Sequence, residues 1–168
     1  MSKLDSKKEQ EKIPTVLVVD DNLQNLELLQ AYLEDLDCQT IPAHDGLEAM
    51  DIVNENPPDL ILLDVMMPKM SGFEVCKRVK NDPKTSDIPV IMVTALNEFG
   101  DIERGIDSGT DDFLSKPVNK LELLTRVKTM LKLKHLSDKL ERTLAYLSEI
   151  EQKAQIVKSD SDNQPSKS

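Results

Sequence analysis

The sequence predicts an α/β protein: a five-stranded parallel sheet, doubly wound with helices on both faces, whose last helix continues as an extended C-terminal amphipathic helix. Three observations predict it. Short apolar runs rich in Val, Ile and Leu are bounded by Asp, Asn and Pro, the pattern of strands buried on both faces. Between them lie stretches whose apolar residues recur every three or four positions, the period of a helix. The two kinds of segment alternate along the chain, which implies crossover connections and parallel pairing.

Residues 1–13 mix Lys, Glu, Ser and Gln with almost no apolar content. Such a segment cannot offset the entropy of ordering, so a flexible N-terminal arm is expected. The domain itself is expected over 14–134. Its first strand is Thr15–Val19, followed by a helix marked by Leu26, Leu29, Leu33 and Leu36, with Asp21 or Asn22 as N-cap. Residues 38–43 read as the second strand. The second helix, 46–56, carries Leu47, Met50, Ile52 and Val53 and stops at Pro57-Pro58, which no helix continues through. Leu60–Asp64 is the third strand, and the loop 65–72 leads to a helix with Phe73, Val75, Cys76 and Val79 inward. The fourth strand, 88–93, ends at Thr94. A fourth helix over 98–107, the turn Ser108-Gly109, a fifth strand at Phe113 and Leu114, and a fifth helix from Asn119 complete the pattern.

The fifth helix runs on. Leu133, Leu136, Leu140, Thr143, Leu147, Ile150, Ala154 and Val157 alternate in steps of three and four, a heptad seam. Residues 135–158 are therefore expected to form a helical extension that pairs with a second copy as a coiled coil. The plainer alternative is a helix folded back on its own domain. The Ser, Asp, Asn and Gln content of 159–168 reads as a disordered tail.

At 168 residues and 39% apolar content, the chain supports one core plus an appendage. A formal charge of -10 argues against nucleic acid or an anionic membrane as partner, and favours a cation or a basic protein patch. Cys38 and Cys76 have no metal-ligand spacing and suit a reducing, cytoplasmic setting. No apolar run approaches the ~18 residues of a membrane span.

Polar residues follow the strands. Asp20 and Asp21 follow the first, Asp64 ends the third, Thr94 ends the fourth and Lys116 follows the fifth. In an open parallel sheet such positions meet at the carboxyl edge, where these folds place ligands. Neighbouring carboxylates repel by about 4 kcal/mol at ~4 Å and an effective dielectric near 20, and a compact hard cation relieves the repulsion. Mg2+ suits the oxygen donors of Asp20, Asp21, Asp64 and the main-chain carbonyl of Met66. The lack of neighbouring His or Cys disfavours zinc. Asp64 can then act as a carboxylate nucleophile towards phosphorus, while Lys116 and the Thr94 hydroxyl meet phosphoryl oxygens. Singly, each residue has a plainer reading: Asp21 as a helix cap, Thr94 as a packed strand end, Lys116 as a solvated charge, Phe113 as core. Their joint occurrence favours a phosphoacceptor site.

The segments Val-Val-Asp20-Asp21-Asn, Leu-Leu-Asp64-Val-Met-Met-Pro68-Lys-Met-Ser-Gly72, Val-Thr94-Ala95 and Lys116-Pro117 resemble the response-regulator receiver domain of two-component signalling, over about residues 14–134. The resemblance implies a flavodoxin-like receiver fold and transfer of a phosphoryl group from a histidine kinase or histidine phosphotransfer protein to Asp64. It implies that Asp20 and Asp21 hold Mg2+, that Thr94 and Lys116 contact the phosphoryl group, and that Ala95 leaves room for it. It also implies that the Lys116-Pro117 bond is cis. Phe113 stands where that family carries a rotameric switch coupled to Thr94, which reshapes the face of helix four, strand five and helix five. A homodimer through that face, the C-terminal helix, or both is expected.

The stretch from Gly109 to Asn119 is similar to receivers that precede cyclase, phosphodiesterase or kinase domains, so the chain is read as either a stand-alone regulator or part of a longer one. Met66 and Leu96 replace polar residues of chemotaxis-type receivers, which points to a phosphoryl group that lasts minutes or longer. Competing readings are a phosphatase or mutase with an aspartyl nucleophile and a phosphorylation-independent dimerising scaffold. The first lacks its second acid, because Met66 occupies that place. A nucleotide-binding domain is disfavoured, since Asp20-Asp21-Asn22-Leu23 replaces the Gly-rich turn of phosphate cradles.

Overall fold

The structure, a computed structural model, describes residues 12–95 and 99–163. Strands β1 (Thr15–Val19), β2 (Gln39–Ala43), β3 (Leu60–Asp64), β4 (Val90–Thr94) and β5 (Asp112–Ser115) form one parallel sheet in the order β2-β1-β3-β4-β5. They alternate with helices α1 (Leu23–Leu33), α2 (Gly46–Glu55), α3 (Gly72–Asn81), α4 (Phe99–Ser108) and α5 (Lys120–Asp162). This is the five-stranded doubly wound parallel sheet that the sequence pattern predicts, in the flavodoxin-like strand order that the resemblance implies. The chain divides into two compact units, Met1–Leu131 and Lys132–Ser168.

The two-sided burial of the sheet explains why its strands read as unbroken apolar runs. On one face Leu17, Val19, Ile61, Leu63, Val90 and Met92 pack with residues of α2 and α3, including Ala49, Val53, Val75 and Val79. On the other, Val16, Val18, Leu60, Leu62, Ile91 and Val93 pack with Leu26, Leu29 and Leu33 of α1 and Leu123 and Val127 of α5. Each full burial of such a side chain is worth roughly 1.5–3 kcal/mol. Pro42 is tolerated because β2 is an edge strand. Leu36, expected on the first helix, packs on the core from beyond its end.

Side-chain caps fix the helix starts. The Asn25 N–H donates to the Asn22 side chain (3.1 Å), so Asn22 rather than Asp21 caps α1. Asp45 caps α2 through the Glu48 N–H (2.8 Å), and Glu48 accepts in turn from the His44 N–H (2.9 Å). Ser71 caps α3.

At the amino edge of the sheet, the Lys80 ammonium donates to the carbonyls of Ile88 (2.7 Å) and Ser86 (3.3 Å) and pairs with Asp111 (2.7 Å). The same Asp111 oxygen accepts the Val90 N–H (2.8 Å). One ammonium thus ties the end of α3 to the entrances of β4 and β5, and nothing in the sequence pattern announces it. Lys80→Met keeps the stem and removes the charge, leaving these acceptors short of a donor. The expected loss is about 2 kcal/mol, read as a lower urea midpoint; an unchanged midpoint would show the network to be incidental.

The second unit is the remainder of α5 and the residues after it. The seam side chains Leu133, Leu136, Leu140, Leu147, Ile150 and Val157 are all exposed. Thr143 satisfies its hydroxyl on the Lys139 carbonyl (2.9 Å), so it adds no unpaired polar group to the seam. The helix continues through Asp162, where disorder was expected from 159 onward. Ser159 and Ser161 donate their hydroxyls to the carbonyls of Ile156 and Lys158 (both 2.9 Å), which lets polar residues remain on the helix. The expected disorder of 1–11 and 164–168 lies outside the described residues.

Candidate functional site

The strand register brings the polar strand ends to one edge. Val19 pairs with Ala43 and Leu63, Asp64 with Val93, and Thr94 with Ser115, so the residues that leave the strands emerge side by side. Donor oxygens of Asp20, Asp21 and Asp64 all lie within 4.8 Å of one another. Among the described residues this is the one group of three or more His, Cys, Asp or Glu side chains drawn together so closely. Asp20 is 1% exposed and Asp64 5%, whereas Asp21 faces solvent.

Lys116 reaches this group from the loop after β5. Its ammonium donates to Asp64 Oδ1 (3.2 Å) and Asp20 Oδ2 (3.3 Å), and its main-chain N–H donates to the Thr94 carbonyl (2.9 Å). The Lys116-Pro117 peptide is cis. Thr94 is buried at the end of β4, and Ala95 follows it, exposed. Leu96 lies outside the described residues. Met66, two positions past Asp64, exposes 65% of its surface.

Three acids face one ammonium, and the imbalance falls on Asp64. Burial pushes its carboxyl from the ordinary 3.8 up to about 6, Asp20 and Asp21 add to the rise, and Lys116 opposes it. Burial works against the Lys116 ammonium, but Asp64 and Asp20 outweigh it and hold its pKa above the ordinary lysine range. Surplus negative charge on clustered oxygens suits a small divalent cation. The side-chain donors present therefore fit Mg2+: all are carboxylates, and two of them are buried at strand ends.

The approach of α3 completes the site. The Gly72 N–H donates to the Val65 carbonyl (2.9 Å), and a Cβ added at Gly72 would lie 2.2 Å from the Asp64 carbonyl oxygen. The backbone carrying Asp64 is thus pressed against a position that only glycine fits. Sequence reading includes Gly72 in a motif without giving it this duty. Gly105 was missed altogether: it lies in the interior of α4, where an isolated glycine signals a packing or functional reason. Phe113 is half-buried against the core, opposite Met92.

The response regulator receiver domain profile matches residues 16–128. Response regulator PleD of Caulobacter vibrioides is 43% identical over 127 residues, covering 76% of this chain and 28% of PleD. The polar-differentiation response regulator DivK of Brucella anthropi is 39% identical over 117 residues, covering 70% of this chain and 95% of DivK. Among solved structures, the receiver domain of the Francisella response regulator 1452 superposes with a TM-score of 0.65 at 34% identity, over 71% of this chain and 97% of that one. The chain thus spans under a third of one of these relatives and nearly all of another. An acid-lined sheet edge of this geometry and a match over most of the sequence agree: the chain belongs to the response regulator receiver domain family.

Proposed function

We propose that this receiver domain accepts a phosphoryl group on Asp64 from a histidine kinase or histidine phosphotransfer protein and signals by changing its dimerisation or partner binding. The convergence of Asp20, Asp21, Asp64 and Lys116 at one sheet edge supports the reading above all else. Near neutral pH the Asp64 carboxyl is ionised, since its pKa is about 6. One of its oxygens forms the O–P bond as the N–P bond of the phosphohistidine breaks, and the electron pair returns to the imidazole. Lys116 sits beside the accepting carboxylate and meets one phosphoryl oxygen, while the Thr94 hydroxyl donates to a second. Asp20, Asp21, Asp64 and the Met66 carbonyl would hold Mg2+, which when bound neutralises the carboxylates and draws the phosphoryl group into place.

The conformational readout is assigned to Thr94 and Phe113. Movement of Thr94 towards the phosphoryl group opens space for the Phe113 ring and alters the face of α4, β5 and α5, a shift between two states rather than a new fold. The domain is not otherwise an enzyme; its own phosphotransfer and slow loss of phosphate are its chemistry. Among the described residues no helix is long and apolar enough to cross a membrane.

The seam of α5 is assigned to pairing with a second copy. Its aliphatic side chains are exposed at heptad spacing, as a two-chain coiled coil requires. Acetyl phosphate with Mg2+ should add one phosphoryl mass to the chain; steady turnover of phosphate esters would instead identify a phosphatase. Deletion of residues 132–168 should weaken self-association in sedimentation experiments and spare the phosphoryl gain. Equal dimerisation by the shortened chain would move the interface to the α4–β5–α5 face.

A further inference from the structure

Gly105 occupies the interior of α4, where alanine would make a better helix. A Cβ added there would lie 2.4 Å from Phe113 Cζ and 2.5 Å from Cε1, with Met92 Sδ at 3.5 Å. Phe113 and Met92 are neighbours across β4 and β5 and present their side chains to the same face of the sheet. The tip of the Phe113 ring therefore fills the volume that a side chain at position 105 would take. Gly100, earlier in the same helix, has open space in that direction, so the close approach is specific to position 105.

We propose that Gly105 is a positioning residue for Phe113: the missing side chain is the socket in which the ring docks beneath α4. One of the two stations open to the ring then exists only because residue 105 is glycine. This inference rests on the switching role proposed for Phe113 and adds the residue that makes switching possible. The helix is held where it meets the ring. The Gly105 carbonyl accepts the Ser108 hydroxyl (2.6 Å) and the Thr110 N–H (3.3 Å), and the Ser108 carbonyl accepts the buried Cys76 thiol (3.4 Å). The colliding atoms, by contrast, are the far end of one side chain. A methyl at 105 therefore displaces the ring to another rotamer more readily than it displaces backbone. The three atoms nearest the socket belong to Phe113 and Met92, none to the acids or Lys116, so chemistry at Asp64 is expected to persist.

The test is fluorine NMR of the full chain labelled with 4-fluorophenylalanine, with and without beryllofluoride and Mg2+. The chain has three Phe residues, and the Phe113 signal is identified by its loss in Phe113→Leu. In the wild type the signal should move on adding beryllofluoride. In Gly105→Ala it should keep one position in both conditions, because the docked station is closed, while acetyl phosphate still adds one phosphoryl group. A Phe113 signal in Gly105→Ala that matches the wild type in both conditions would overturn the socket. A wild-type signal that never moves, together with a shifted signal in Gly105→Ala, would keep the socket and overturn the switching role. Melting temperatures provide a second check. Gly105→Ala should lower the melting temperature of the wild type more than that of Phe113→Ala, where the methyl has room; equal changes in both backgrounds would count against the proposal.

Discussion

Asp64→Asn should abolish the gain of a phosphoryl group and, in cation-free buffer near neutral pH, give a protein more stable than the wild type. The two effects have one source. The folded carboxyl titrates at about 6 instead of 3.8, because burial and the neighbouring acids disfavour its charge. Its proton is held more tightly in the folded chain than in the unfolded one. Ionisation therefore costs the wild type stability, in full above about pH 6, and the cost fades as pH falls towards 3.8. A shift of this size corresponds to about 3 kcal/mol, part of which is returned when the amide loses the charged hydrogen bond from Lys116. A net gain of roughly 1–2 kcal/mol is expected, read as a melting temperature several degrees higher. Magnesium should reverse the order, since it binds the folded acid cluster and stabilises the wild type by mass action. A variant no more stable than the wild type at neutral pH would contradict the strained carboxylate, and one that still gains a phosphoryl group would contradict Asp64 as the acceptor.

Gly72→Ala should cause the larger loss of stability. Its Cβ would meet the Asp64 carbonyl oxygen at 2.2 Å, Val65 Cα at 2.9 Å and the Asp64 carbonyl carbon at 3.0 Å. These are backbone atoms of a fully buried strand and its exit, and no rotamer change moves them aside. Overpacking of this kind costs about 3 kcal/mol, and the shift needed to relieve it displaces the carboxylate itself. Phosphorylation by acetyl phosphate should therefore slow in whatever fraction remains folded. Gly100→Ala is the matched control. It meets nothing within 4 Å and sits in the first turn of α4, so it should be neutral or stabilising by up to about 1 kcal/mol. Similar urea midpoints for the two variants would mean that α3 can retreat from Asp64 at little cost.

The strands were legible because each is buried on both faces and so carries an uninterrupted run of Val, Ile and Leu. The acids were legible for a related reason: Asp20 and Asp64 sit where such a run stops, and in a parallel sheet all the runs stop at one edge. Lys116 could be placed at that edge, but its reach to two carboxylates at once could not, because that depends on how the loop after β5 folds over β1 and β3. The choice between Asp21 and Asn22 as helix cap also needed the structure. Asp20 itself accepts the Asn22 N–H (2.9 Å), which sets the turn and leaves Asn22 to cap. The helix reaches Asp162 with the Ser159 and Ser161 hydroxyls bonded back to the preceding turn, a contact that the composition of 159–168 does not announce.

Taken alone, the sequence determined the order of the elements, the two faces of the sheet and the chemical kind of site at its carboxyl edge. All of these follow from hydrophobic period and from residues adjacent in the chain. Only the tertiary structure decided the close approaches: Gly72 against Asp64, Gly105 against Phe113, and Lys80 among three segments. Such contacts join residues on different elements at van der Waals or hydrogen-bond distance, and the steep dependence of repulsion and electrostatics on separation leaves no periodic trace in the chain. The raised pKa of Asp64 belongs with them, since it arises from burial and from the spacing of charges that folding alone brings together.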